Sequence, residues 1–294
     1  MTYSIVARDA ETGELGVAVQ SHYFQVGPNV PWGLAGVGAV ATQSLVNVSF
    51  GPLGVELMRL GYGARQALDA VLAADPDREA RQCAMVDRDG AAAAHTGSRC
   101  IAEAGHRIGE GYSVQANLME RATVWDTMAA AYERAAAEAL PLAERLLAAL
   151  DAAEAEGGDI RGQQSAAMLV LTGQPMGRAW EDRVVDLRVE DHPEPLLELR
   201  RLLRLRRAWQ ASQRGDLAGH RRALELAPEL THVRVFAAVA LAEAGDWEEA
   251  MALLRGVLEE EPRWRETLRR LPAAGRLDAG LAGAIEARLA GEQA

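Results

Sequence analysis

Lysine is absent: all 31 basic side chains other than histidine are arginine. The sequence therefore offers no lysine amine to an active site, and one standard catalytic part is missing. Cysteine is nearly absent as well. Cys83 and Cys100 stand alone without a CxxC spacing, so they form neither a zinc site nor a redox motif, and reduced, buried thiols are expected. Aromatic residues make up only 5% of the chain. No uncharged apolar run reaches the roughly 18–20 residues of a membrane span. The N-terminal stretch shows no charged n-region and no apolar h-region, so no signal peptide is visible and a cytoplasmic chain is expected. Positive charge is also short. The formal net charge of -11 argues against nucleic-acid binding, which requires a basic surface to neutralise phosphates. The six histidines show no HxxxH or HExxH spacing, so neither a metal nor an organic cofactor is expected.

What is present is a normal globular balance over 294 residues, enough for one large domain or two ordinary ones. Residues 3–9 and 15–21 read as two strands joined by a polar, Gly-containing turn, an antiparallel hairpin almost at the first residue. Residues 33–42 form a small-residue run that reads as one buried strand. Helical spacing follows over 52–60 and 64–74, ended by Asp75-Pro76. Asp89-Gly90 between apolar runs predicts a second hairpin over 83–87 and 91–95. One short strand is expected near 112–115, and two helices over 124–155 divided near Pro141. A Gly-rich loop at 157–162 precedes a buried strand at 166–171, and 184–189 alternates like a last strand. This order fits a layered α+β domain with largely antiparallel sheets. It does not fit a doubly wound nucleotide fold, because no Gly-rich loop joins a strand to a helix.

Residues 191–195, with two prolines, are the linker candidate, giving one domain over 1–193 and a second over 196–294. Leu196, Leu199 and Leu203, interleaved with an Arg run, predict an amphipathic helix with a solvated basic face. Beyond it the chain is almost entirely helix-forming. Pro228 and Pro262 lie 34 residues apart, and each closes a helix that follows a Gly-Asp turn. The second of these units resembles a tetratricopeptide repeat: Ala250, Leu254, Val257 and Pro262 fall on that motif's Ala, Phe, Ala and Pro positions. Arg234 and Ala238 replace its Trp and Gly. Such helix pairs leave a face to be covered, by the first domain or by a protein partner.

The start Met1-Thr2-Tyr3-Ser4 carries the chemistry. Initiator Met is normally removed before a small residue. Thr2 would then hold a hydroxyl nucleophile and, in its α-amine, a base with an ordinary pKa of about 7.7–8.0. Many chains begin Met-Thr without such a role; the strand and hairpin that follow directly favour the catalytic reading. Asn117 and Gln43 carry amides at strand ends and are candidate oxyanion donors, or else loop amides that satisfy local backbone. Ser21 and His22 close the second strand near Thr2. His22 either tunes the amine or binds substrate, or is a locally satisfied histidine. In the Gly-rich loop, Arg161 either clamps a substrate carboxylate or pairs internally with Asp159. Gln164 and Ser165 are further substrate-binding candidates.

Several motifs occur together in the order of a bacterial family. They are Thr2 to Asp9, Thr12 to Val19, Gly38-Ala39-Val40-Ala41-Thr42-Gln43, Gly109 to Gln115, Gly157 to Ala167 and Asp186-Leu187-Arg188-Val189. On these the chain resembles the family catalogued as domain of unknown function 1028, over roughly residues 2–193. The resemblance implies an N-terminal-nucleophile-hydrolase-like fold, a four-layer αββα sandwich, followed here by a small all-helical tetratricopeptide-like domain. The family pattern leads us to expect Gly between Gln115 and Asn117, where this chain has Ala116; a backbone needing positive φ there would be disturbed. The proteasome-like branch of the superfamily uses a lysine beside the nucleophile, so Arg or the amine itself must replace it here. The expected function is hydrolysis of a C–N bond in a small amide or carbamoyl-type substrate by Thr2. The alternatives are a non-catalytic ligand-binding or scaffold protein with a partner-docking helical domain, and, less favoured, a peptidase. A homo-oligomer is a further expectation from uncovered repeat faces.

Overall fold

The structure is a computed structural model that describes residues 2–291. It is a mixed α+β protein with two antiparallel sheets and ten α-helices among the described residues. Two compact units divide it, Met1–Arg201 and Leu202–Ala294.

In the first unit, β1 (Thr2–Arg8) and β2 (Leu15–Ser21) form the hairpin expected from the sequence, with Gly13 at φ 73° in the turn. They sit at the centre of a six-stranded sheet. The edge strand β10 (Arg183–Val189) and β9 (Ser165–Leu171) continue it beyond β2, and β8 (Tyr112–Asn117) and β7 (Gly105–Gly109) continue it beyond β1. The second sheet runs β3 (Pro31–Leu34), β4 (Gly38–Ser44), β5 (Arg81–Asp87), β6 (Ala92–Thr96). The two sheets face each other. Val6, Val17, Val19, Ala39, Ala41, Ala84 and Val86 fill the space between them, following the period of two along each strand.

Helices cover the outer faces. α1 (Phe50–Arg59) and α2 (Ala64–Ala73) bury Phe50, Met58, Leu68 and Val71 against Val40, Cys83 and Met85 of the second sheet. α3 (Val124–Ala137) and α4 (Leu142–Ala155) pack on the first sheet, with Pro141 as the N-cap that separates them. α4 approaches so closely that a Cβ on Gly16 would lie 2.6 Å from Leu146 Cδ1. From the same outer face of β1, the Tyr3 hydroxyl donates to Glu154 Oε2 at 2.7 Å, and desolvation, with the neighbouring carboxylate, pushes its pKa well above the ordinary value.

Two details differ from the sequence reading. The run 33–42 is a hairpin, not one strand: Gly36 at φ 67° turns the chain between β3 and β4. Its turn carries no polar residue, which hides it from turn chemistry. β7 was not expected at all. It is an edge strand with Arg107 and Ile108 exposed, so it lacks the alternation that marks a half-buried strand. Ala116 adopts ordinary extended backbone opposite Tyr3, so the exchange for Gly disturbs no positive φ.

Residues 190–194 join β10 to α5 (Pro195–Ser212), which starts at Pro195 and runs through the division between the units. Its first turns belong to the first unit, where Arg200 pairs with Asp151 of α4. In the second unit α6 (Leu217–Leu226), α7 (Thr231–Glu243), α8 (Trp247–Glu260), α9 (Trp264–Arg270) and α10 (Ala279–Gly291) enclose a core that includes Val235, Leu241, Leu254, Val257 and Ile285. Asp216 caps α6 by accepting from the Gly219 N–H at 2.6 Å. No described helix is long and apolar enough to cross a membrane.

One buried group carries a stability prediction. Gln20 is fully buried, and neither its Oε1 nor its Nε2 has a partner among the described residues. Replacing it with an apolar side chain of similar shape removes an uncompensated desolvation cost of about 1–3 kcal/mol. Gln20→Met is therefore expected to raise the melting temperature of the first unit by several degrees in a thermal denaturation scan. A lower melting temperature would mean that the amide is satisfied in solution.

Candidate active site

Thr2 begins the strand that lies between β2 and β8. Register sets it opposite Ser21 on one side and Asn117 on the other. It is 7% exposed, and its Oγ1 lies 2.9 Å from Ser21 Oγ, a hydrogen bond between two buried hydroxyls. The Thr2 carbonyl accepts from Gln43 Nε2 at 3.2 Å and from Asn117 Nδ2 at 3.3 Å. Met1, and with it the expected removal of that residue, lies outside the described residues.

Behind Thr2 the space between the sheets changes from apolar to polar. Ser4 Oγ donates to Gln43 Oε1 at 2.6 Å and accepts from Gln115 Nε2 at 2.6 Å. Gln82 forms the hub. Its Oε1 accepts from Gln43 Nε2 at 2.7 Å and Asn117 Nδ2 at 2.8 Å, and its Nε2 donates to Ala116 O at 2.9 Å and Thr96 Oγ1 at 2.9 Å. All of these residues except Thr96 are fully or almost fully buried. Such a network is rigid because every member is held by several partners. The N–H groups of Gln43 and Asn117 are thereby directed to the Thr2 carbonyl and to Gln82. Gln82, Ser4 and Gln115 were not singled out from sequence. The available signal was a polar residue on an inward stripe of small apolar ones, as Gln82 is beside Ala84 and Val86.

A cavity of about 280 Å³ opens beside Thr2. Of the sequence candidates, Thr2, Ser21, Gln43 and Arg161 line it. Val26 and Val30 from the β2–β3 connection, and Leu45 and Val46 after β4, give it apolar walls. Ser44, also in the lining, has φ 72°, a left-handed conformation uncommon for a residue with a side chain, and turns the chain from β4 into the wall.

The remaining candidates act around this cavity. Asp159 holds Arg161 in a fork, Oδ1 to Nε at 3.0 Å and Oδ2 to Nη2 at 2.8 Å, and accepts from the backbone N–H of Arg161 and of His22. Burial pushes the Asp159 carboxyl up, while those two N–H groups pull it down. The internal ion pair is thus formed, and it fixes a guanidinium at the cavity. His22 Nδ1 is buried without a partner among the described residues, and His22 is not in the cavity lining. Ser165 Oγ donates to Tyr23 O at 2.6 Å and accepts from the Val26 N–H at 3.1 Å, which pins the connection that forms one wall. Gln164 lies away from the cavity and donates to Asp191 Oδ1 at 3.1 Å. Among the described residues, no three His, Cys, Asp or Glu side chains are grouped to hold a metal ion.

The opposite wall depends on Asp75. It accepts from Arg81 Nε at 2.9 Å and from Asn47 Nδ2 at 2.9 Å, while Arg81 Nη1 donates to Leu45 O at 2.6 Å. Hydrogen bonds from Arg81, then from Asn47, hold the Asp75 carboxyl down at about 2. A depressed folded-state value contributes stability that is fully present above the unfolded value of about 3.9 and is lost as pH falls through the folded one. Acid unfolding of the wild type is therefore expected to include a loss between about pH 4 and pH 2 that Asp75→Asn lacks, the variant being the less stable above pH 4. Parallel stability–pH curves for the two proteins would contradict this.

The model of a family of unknown function, DUF1028, matches residues 2–199. The chain belongs to this family. It is similar to SPO2555 from Silicibacter pomeroyi, a DUF1028 protein of known crystal structure, with 34% identity over 69% of this chain and 84% of that one, at a TM-score of 0.61. A second solved structure, Anbu (ancestral beta-subunit) from Yersinia bercovieri, aligns over 72% of this chain and 94% of that one, with 12% identity and a TM-score of 0.33. No curated protein matches the chain. The DUF1028 match spans every element that builds the cavity.

Proposed function

We propose that this DUF1028 protein is an N-terminal-nucleophile amidohydrolase that cleaves a C–N bond of a small amide after removal of Met1. The observation that carries the reading is the setting of Thr2. Its hydroxyl lies on a buried Ser21 hydroxyl at a cavity, and its carbonyl is clamped by two side-chain amides. In this reading the freed α-amine of Thr2 takes the proton of its own hydroxyl, and Oγ1 adds to the substrate carbonyl carbon. Collapse of the tetrahedral intermediate breaks the C–N bond, and the departing amine leaves with the proton. Water then adds to the acyl ester, again with the amine as base, and releases the acid. Ser21 positions the hydroxyl. Arg161, held by Asp159, lines the same cavity as Thr2 and is our candidate for the part a lysine would otherwise play.

The packing order of helices, sheet, sheet and helices supports reading the first unit as the αββα sandwich of such hydrolases. Burial of Leu241, Ala250, Leu254 and Val257 supports reading α7 and α8 as a tetratricopeptide-like pair. The test is the intact mass of the purified chain, followed by incubation with amides and activated esters. A mass short by one methionine, and an acyl adduct that maps to Thr2, are expected. Turnover by a chain that retains Met1 would overturn the mechanism.

A further inference from the structure

We infer that the cavity beside Thr2 receives a short, uncharged aliphatic acyl group and rejects acyl groups that carry a carboxylate. The inference rests on Thr2 being the nucleophile, and it concerns what the nucleophile is offered. About 280 Å³ places the cavity at the lower edge of the roughly 300–1,000 Å³ of small-ligand sites, room for a short chain and little more. Its inner walls are Val26 and Val30, 2% and 3% exposed. Its mouth is Leu45 and Val46, 54% and 36% exposed, together with Tyr23 at 56%. Apolar side chains standing this far out of the protein beside a reactive hydroxyl gain by being covered, and an aliphatic chain covers them.

Charge decides the second half. The one cationic side chain among the described lining residues is Arg161, whose Nε and Nη2 each donate to Asp159. Asp159 is 3% exposed and depends on that fork for its countercharge. Asp159 already counters the charge of Arg161, so a substrate carboxylate would bring unmatched negative charge into a cavity with apolar walls, which is costly. The other cation, the α-amine of processed Thr2, is neutral in the form that takes the hydroxyl proton, the form that prevails above its ordinary pKa of about 7.7–8.0. In that form the cavity offers an anionic acyl group no cation that Asp159 does not already match.

The experiment compares hexanamide with adipamate, the same chain ending in a carboxylate, on the full-length processed protein. Dissociation constants come from ligand-observed NMR at about pH 9, where the Thr2 amine is neutral, and require no chemistry at Thr2. Hexanamide is expected to bind at least tenfold tighter than adipamate. It is also expected to bind about fifteenfold tighter than butyramide, at about fourfold for each added methylene. Val46→Lys, at a partly exposed position that accepts a charge, is expected to shift the preference toward adipamate by tenfold or more. Equal or tighter binding of adipamate by the wild type overturns the inference, as does absence of binding by either amide or an unchanged preference in Val46→Lys. Intact-mass labelling with the hexanoyl p-nitrophenyl ester is read separately. A hexanamide preference without an adduct on Thr2 upholds the cavity assignment and overturns the nucleophile reading alone.

Discussion

Thr2→Ala is expected to abolish amide turnover, by about 10⁴- to 10⁶-fold in kcat, the range seen when a hydrolase loses one member of its catalytic unit. The substitution is informative because Ala is also a small residue. Met1 should still be removed and the α-amine still be free, so the variant separates the hydroxyl from the processing. The fold should survive. Among the described residues the lost hydroxyl makes one hydrogen bond, to Ser21, and a neutral bond of this kind is worth about 0.5–1.5 kcal/mol. Thr2→Ser keeps the oxygen and should keep turnover. The measurement is kcat on the best amide found, together with melting temperatures for all three proteins. Activity in Thr2→Ala comparable with wild type would move the chemistry elsewhere. Loss of activity with a collapse of the melting temperature would reveal a structural role.

The largest effect on stability is expected from Gln82→Leu. Leucine fills much of the volume but leaves the N–H groups of Gln43 and Asn117 and the carbonyl of Ala116 without the partner that Gln82 gives them. Each orphaned buried group costs about 1–3 kcal/mol. Because neighbours relax together, we expect a total of about 3–5 kcal/mol, a large share of the 5–15 kcal/mol that holds an ordinary domain. At about 2–4 °C per kcal/mol for a unit of this size, the melting temperature should fall by roughly 10 °C or more. Below that temperature turnover should fall too, since the amides that hold the Thr2 carbonyl lose their own anchor. Gln82→Glu tests the cause. It keeps the shape and an acceptor, but buries a carboxylate whose charged form is penalised, so its folded-state pKa lies above the unfolded value. The defect should be small at acid pH and deepen as pH rises above about 4.3. A Gln82→Leu protein that melts within a degree or two of wild type would show that the network is not the brace described.

The two predictions draw on residues of very different visibility. Thr2 could be singled out because its chemistry is local: a hydroxyl and an amine on one residue, followed at once by a strand and a hairpin. Gln82 could not, because a glutamine in a strand acquires meaning only from what stands opposite. Its partners Gln43 and Asn117 lie 39 and 35 residues away. Gln43 and Asn117 were visible as strand-end amides, but the direction of their N–H groups was not. Register sets Asn117 opposite Thr2, and the packing of one sheet on the other brings Gln43 of β4 to the same carbonyl. Likewise the roles left open for Arg161 could not be separated by reading the loop. The fork on Asp159 shows the internal pair.

By itself the sequence determined the elements whose signals are short-range. The first hairpin follows from alternation and a Gly turn, the break between α3 and α4 from Pro141, and the helical character of the second unit from Leu and Ala spacing and two prolines. It missed the β3–β4 turn, made without polar residues, and the edge strand β7, which buries little. Only the tertiary structure decided which strands are neighbours, that β1 lies between β2 and β8, and that four separate segments close one cavity beside Thr2. The physical reason is that propensity and periodicity act over a few residues, whereas strand order and the pairing of buried polar groups are settled by non-local packing, where a single register shift would turn Ser4, Gln43 and Gln82 to the other face of their sheets.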